Sequence, residues 1–238
     1  MATFILIHGA WHGGWAWKDV KTLLAEKGHT VLAPDLPGHG SNPTPFQEVT
    51  MKAYVQSVVD LLAKQSEPVI LAGHSMSGAV ISQAAEQRPT MVSKLVYVCA
   101  FLLKHDRSVL DAMKKDEAGA FLPRLTFTDD QRGAQFDEAT LREVLYNETP
   151  EDRLQWAKPQ LITTQPTEPF GAPLQITNER FGNISRAYIK CMRDKTLTPH
   201  TQQRMIDTFP CEQVFELEAD HAPFLSKPED LSKALLSI

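Results

Sequence analysis

The sequence predicts an α/β protein: a mostly parallel β-sheet flanked by helices, with a cap inserted in its second half. Three observations carry this. Short apolar runs alternate with stretches of helical spacing along most of the chain, and that alternation builds βαβ units around a sheet buried on both faces. Residues 69–87 read as an apolar strand, a turn of small residues centred on Ser75, and a helix. The pattern then weakens between residues 103 and 183. A structureless loop of that length does not fit a compact domain, so residues 103–183 read as a cap over the sheet ends. Residues 1–102 and 184–238 form the core on this reading.

The elements follow in order. Residues 3–7 are a strand and residues 15–27 have helical spacing. Residues 30–33 form the next strand, before the turn-rich Pro34-Asp-Leu-Pro-Gly-His-Gly-Ser41. Thr50 is placed to cap a helix reaching Ala63, because a threonine oxygen can accept one of the free N–H groups of a first turn. A strand over 69–72, a helix over 76–87 and a strand over 94–99 come next. After the cap, 186–192 is a strand, 199–208 a helix and 214–217 a strand, and a closing helix starts near Pro228.

Composition narrows the function classes. With 238 residues, the chain can bury one large α/β core. A net charge of −5 argues against nucleic acid or an anionic membrane as partner. No apolar stretch approaches membrane-spanning length, and the N-terminus lacks the basic start of a signal peptide. Cys99, Cys191 and Cys211 are odd in number and show no paired spacing. They read as free thiols in a reducing compartment, which places the protein in the cytoplasm. A homodimer is compatible with the sequence, which does not set the oligomeric state.

The turn at Ser75 carries the chemistry. A strand–turn–helix of small residues is the nucleophile elbow, which strains one serine and lifts its Oγ above the sheet edge. Gly73 and Gly78 fit the crowding there, although Ser77 stands where that pattern has its second glycine. A serine needs a base, and the base an orienting carboxylate, in the chain order serine, acid, histidine. Only His105, His200 and His221 follow Ser75, and His221 alone sits just past a late strand. Asp194 follows the preceding strand and is the preferred acid; Asp106 is the alternative. Asp220 adjoins His221, and neighbouring side chains diverge. The oxyanion donors are expected at Met76 N–H and Ala10 N–H, with Gly9 letting substrate approach the backbone. His8, His12 and His74 show no ligand spacing, so no metal and no cofactor is expected.

The run Phe4-Ile-Leu-Ile-His-Gly-Ala-Trp-His-Gly-Gly-Trp15, with Gly73-His-Ser75, Arg180-Phe-Gly-Asn-Ile-Ser-Arg-Ala-Tyr-Ile-Lys-Cys191 and Asp220-His-Ala-Pro223, resembles the plant methylesterase and hydroxynitrile lyase branch of the α/β-hydrolases. The resemblance is loose across the cap. It implies the α/β-hydrolase fold and a triad of Ser75, Asp194 and His221, in agreement with the reading from the residues. The branch hosts two chemistries. Its lyases carry a threonine at the position of Gly9 and a lysine at that of Ala222; neither residue here offers a hydroxyl or a charge. The expectation is therefore a serine carboxylic ester hydrolase acting through an acyl-enzyme on a small, largely apolar, methyl-ester-like substrate. A lyase, or a receptor that binds a small ligand without turnover, is the alternative. Trp156, Phe121, Phe127 and Leu161 are candidates to wall an apolar pocket, or else to pack the cap itself.

Overall fold

The computed structural model describes residues 1–238. Six strands form one sheet in the order β2-β1-β3-β4-β8-β9: β1 (Thr3–Ile7), β2 (Thr30–Leu32), β3 (Val69–His74), β4 (Val92–Val98), β8 (Arg186–Cys191) and β9 (Gln213–Leu217). Every pairing is parallel. The central strands are apolar and buried along nearly their whole length, as a sheet covered by helices on both faces requires. The edge strand β9 instead alternates between half-buried and exposed residues. The covering helices are α1 (Lys18–Glu26), α2 (Met51–Leu62), α3 (Ser77–Gln87), α8 (Pro199–Thr208) and, after the short α9 (Pro223–Ser226), α10 (Pro228–Leu236). Thr50 caps α2, its side chain accepting from Ala53 N–H.

Register decides where a site can form. Ile7 pairs with Gly73, and His74 with Val98. The loops after β1, β3, β4, β8 and β9 therefore leave the same edge of the sheet, the usual place for ligands in parallel α/β folds. β3 continues two residues past the expected end at Ala72, because Gly73 and His74 still pair with β4. β4 begins at Val92, ahead of the expected Lys94. The expected helix over 15–27 is a 3₁₀ turn (Gly14–Trp17) followed by α1. Gly14 N–H donates there to Asp35 Oδ1 at 2.7 Å, and a Cβ on Gly14 would sit 2.2 Å from Ala33 O. The first turn is thus tied to the loop after β2.

Residues 103–183 hold short elements. These are α4 (Val109–Lys114), an antiparallel sheet of β5 (Thr126–Phe127), β6 (Gly133–Gln135) and β7 (Gln165–Pro166), and the helices α5 (Glu138–Thr140), α6 (Glu151–Ala157) and α7 (Glu168–Gly171). The run Leu141–Leu145 is a π-helical turn continuing α5. Phe121, Leu145, Leu154, Phe170 and Leu174 from this segment belong to the same hydrophobic cluster as the sheet strands. The segment therefore shares the core of the sheet and does not pack around one of its own.

Candidate active site

Ser75 lies between β3 and α3 with φ = 53°, a left-handed conformation that costs a non-glycine residue energy and persists only where packing enforces it. The enforcement is visible. A Cβ on Gly73 would come within 2.7 Å of Ser77 O, and one on Gly78 within 2.5 Å of Phe101 O. Phe101 N–H donates to Ser75 O at 3.0 Å and Ser75 N–H to Val98 O at 3.3 Å. Ser77, where the pattern expects glycine, uses its hydroxyl to donate to His8 O. The elbow and the loop after β1 are held together by that bond.

The structure brings Ser75, His221 and Asp194 into one hydrogen-bonded line. Ser75 Oγ lies 2.9 Å from His221 Nε2, and His221 Nδ1 lies 2.6 Å from Asp194 Oδ2. His221 and Asp194 are buried. The other oxygen of Asp194 accepts from Thr196 N–H (2.7 Å) and Leu197 N–H (2.9 Å), which fixes the orientation of the carboxylate. Asp106 is elsewhere, exposed on the surface with its Oδ1 accepting from Gln175 Nε2 at 2.8 Å. Asp220 points away from the imidazole, as the sequence argument expects of an adjacent residue. Its Oδ1 accepts from Ala222 N–H and Ser226 Oγ, and its Oδ2 from Glu148 N–H and Thr149 Oγ1. It ties the histidine loop to the segment 103–183, and burial raises its pKa.

Ala10 N–H and Met76 N–H donate to no acceptor within the protein, whereas the next amide, Trp11 N–H, donates to Gln165 Oε1 at 2.9 Å. Four buried imidazoles brace the surrounding loops. His8 donates from Nδ1 to Gly9 O and accepts at Nε2 from Leu36 N–H. His12 donates from Nδ1 to Ala10 O and accepts from Tyr146 O–H. His39 donates to His12 O and accepts from Tyr54 O–H. His74 donates from Nε2 to His221 O at 2.7 Å. Burial lowers the pKa of all four, to about 3 for His12 and about 4 for His39. The sequence shows His8, His12 and His74 only as histidines without ligand spacing and does not single out His39, Tyr54, Tyr146 or Gln165. Their partners lie far along the chain, and no local spacing signals them. His74 and Cys99 also approach His221 closely enough to suggest metal ligands. Yet His74 Nε2 and Cys99 Sγ both point at the carbonyl oxygen of His221, and burial keeps the Cys99 thiol protonated by pushing its pKa up. They act as donors to that oxygen.

Above Ser75 lies a tight cavity walled by Trp11, Phe101, Met113, Phe121, Leu145 and Phe170. No lysine, arginine, aspartate or glutamate lines it. Of the four apolar residues expected there, only Phe121 lines it. Phe127 is exposed, Trp156 packs edge-on against Trp15, and Leu161 lines a separate surface depression. Trp11, Phe101, Met113, Leu145 and Phe170 are wall residues that the sequence reading does not name, and Trp11 packs edge-on against Phe121 and Phe136.

A hydrogen-bonded serine, histidine and aspartate at the strand-end edge of this sheet define a class, and residues 4–234 match the alpha/beta hydrolase family. The chain belongs to that family. A chloroplastic relative from Arabidopsis thaliana, provisionally named methylesterase 13, is 34% identical over 99% of this chain, and the chain spans 55% of that relative's length. Among solved structures, a pyrethroid hydrolase from Sphingobium faniae JZ-2 superimposes with a TM-score of 0.90 at 34% identity, covering 99% of this chain and 96% of that one. Polyneuridine aldehyde esterase superimposes with a TM-score of 0.88 at 27% identity, covering 100% and 98%. The resemblance to the methylesterase branch read from the sequence is therefore a family relationship. No helix is long and apolar enough to cross a membrane.

Proposed function

We propose that this protein hydrolyses small, largely apolar carboxylic esters, methyl esters being the type case, through an acyl-enzyme on Ser75. The observation that carries this is the line from Ser75 Oγ through His221 to Asp194, set below two unpartnered amides. Ser75 Oγ attacks the ester carbonyl carbon while His221 Nε2 takes the hydroxyl proton. Asp194 accepts from Nδ1, holds the tautomer and stabilises the imidazolium. Ala10 and Met76 N–H groups stabilise the oxyanion, each worth about 3 kcal/mol in the transition state. The imidazolium returns the proton to the leaving alcohol, and a water activated by His221 then releases the acid and frees Ser75. No metal or cofactor enters these steps.

Residues 103–183 act as the cap in this reading, since Met113, Phe121, Leu145 and Phe170 from that segment roof the cavity. The lack of charged lining residues favours neutral, apolar esters, because a buried unpaired charge is costly. The relatives named as esterases support the same class. A reducing, cytoplasmic setting accords with three free cysteines, of which Cys99 and Cys191 are buried. The test is turnover of p-nitrophenyl acetate and of a methyl ester panel by the wild type and Ser75→Ala. A folded Ser75→Ala protein that keeps wild-type activity overturns the covalent mechanism, and no turnover of any ester by the wild type favours the receptor alternative.

A further inference from the structure

A second groove lies behind helix α4, separated from the catalytic cavity by that helix. Met113 of α4 faces the cavity, while its neighbours Asp111 and Ala112 face the groove. Phe101 lines the cavity, while Leu102 and Leu103 line the groove. The groove is open to solvent, and its far wall is Thr201, Arg204, Met205 and Thr208 of α8.

Its charge is unlike the rest of the molecule. Lys104, Arg107, Lys115 and Arg204 surround it, on a chain of net charge −5. None of the four is within ion-pair distance of a carboxylate, although nine other lysines and arginines are. The single carboxylate on the groove is Asp111. Its Oδ2 accepts from Ser108 N–H in the capping box of α4. Arg204 is held in place, its Nη2 donating to Lys115 O and Thr201 Oγ1 at 3.2 Å each. Between these cations the floor is apolar, made of Leu102, Leu103, Ala112 and Met205.

We propose that this groove binds an amphipathic monoanion: a carboxylate with an apolar body, the product class of ester hydrolysis. The cations take the carboxylate, Arg204 as a pre-positioned fork, and the floor takes the hydrocarbon. The catalytic cavity offers no cation to retain an acid product, and the groove across α4 offers four. The identity of the carboxylate as a product rests on the esterase reading; the site itself does not.

The test is calorimetric titration of the whole protein with decanoate, decanol and inorganic phosphate, using wild type, Ser75→Ala, Arg107→Glu/Arg204→Glu and, as a second charge reversal, Lys104→Glu/Lys115→Glu. Decanoate is expected to bind wild type and Ser75→Ala alike. Affinity should fall more than about tenfold in either charge-reversed variant and weaken as salt rises. Ester turnover in both should stay near wild type, with decanol and phosphate binding far more weakly. Unchanged decanoate affinity in both charge-reversed variants overturns the proposal, because the ligand then sits elsewhere. Phosphate binding as tight as decanoate overturns the amphipathic part, and no saturable decanoate binding below about 10 mM overturns it entirely. Charge-dependent decanoate binding by a protein that hydrolyses no ester keeps the groove and removes only the product assignment.

Discussion

Lowering the pH from about 7.5 to about 5 should destabilise this protein by at least about 4 kcal/mol, through buried histidines that take no part in proton transfer. His12 and His39 are locked in one neutral tautomer each. One nitrogen donates to a carbonyl, and the other accepts from a tyrosine hydroxyl. A second proton would set two donors against each other in a dry site, which is why burial lowers their pKa values to about 3 and about 4. In the unfolded chain both titrate near the ordinary value of about 6.5. Below that value the unfolded state binds protons that the native state refuses, so stability falls with falling pH. By about pH 5 each group has removed about 2 kcal/mol. His8 and His74 shift in the same direction and add to the loss. Asp220 works oppositely: its raised pKa makes the native state the better proton binder, so it stabilises slightly as pH falls toward the acid range. Carboxylates with lowered pKa values, such as Asp35, titrate below this window. Against a typical total of about 5–15 kcal/mol, the histidine term is a large share of the stability. Urea unfolding followed by circular dichroism at both pH values measures it. In His39→Gln the proton uptake on unfolding near pH 5 should drop by about one. Equal unfolding free energies at the two pH values would refute the assignment of these imidazoles as buried and neutral.

Asp194→Asn should leave KM near wild type and lower kcat about 10⁴-fold, the effect seen when the orienting carboxylate of such a triad is lost. Steady-state kinetics beside Asp106→Asn, expected to be near wild type, checks the choice of acid. Asp220→Ala leaves Glu148 N–H and Ala222 N–H without partners, at about 1–3 kcal/mol each, partly offset by removing a buried carboxylate. The expected loss is about 2–4 kcal/mol by urea unfolding, with kcat/KM falling because the histidine loop is unpinned, and an unchanged melting curve would contradict it. Mandelonitrile cleavage should stay at background. Ala222 is buried with no side chain to hold cyanide, and a Cβ on Gly9 would press within 2.6 Å of His74 Nδ1. Enantioselective cyanide release lost in Ser75→Ala would reverse that expectation.

Strand and helix signals of the core were legible because each spans enough residues to show its period. The apolar residues of β1 and β4 and the capped helix behind Thr50 are examples. Chain order made the histidine stand out, since only His105, His200 and His221 follow Ser75, and the strand before it pointed to Asp194. The segment 103–183 was opaque for a physical reason. Its strands have two or three residues and its helices three to seven, too short for either period to declare itself. Its apolar residues therefore could not be sorted into those that face the cavity, such as Phe121, and those that face solvent, such as Phe127. The histidine network was hidden for another reason. His12 meets Tyr146 across 134 positions and Tyr54 meets Gln165 across 111. Each of these residues taken alone reads as a polar group in a loop.

Ser77 shows how a departure from a pattern can follow from the fold. The pattern places glycine there so that the elbow can close. Here the closure falls to Gly73, whose missing side chain admits the Ser77 carbonyl, and to Gly78, whose missing side chain admits the Phe101 backbone. That frees position 77 for a hydroxyl, which donates to His8 O, the carbonyl that precedes Gly9 and Ala10. The two proposed oxyanion donors come from different segments, Ala10 from the loop after β1 and Met76 from the elbow. Their spacing must be fixed to within a fraction of an ångström for both to reach one oxygen. Sheet pairing alone cannot fix it, since β1 ends at Ile7 and β3 at His74. The serine supplies one tie between the segments. The imidazoles of His8 and His12 brace the first segment itself, bonding the carbonyls of Gly9 and Ala10. Preorganisation of this site therefore depends on side chains outside the Ser75–His221–Asp194 line, and the acid lability worked out above follows from using buried histidine for that work.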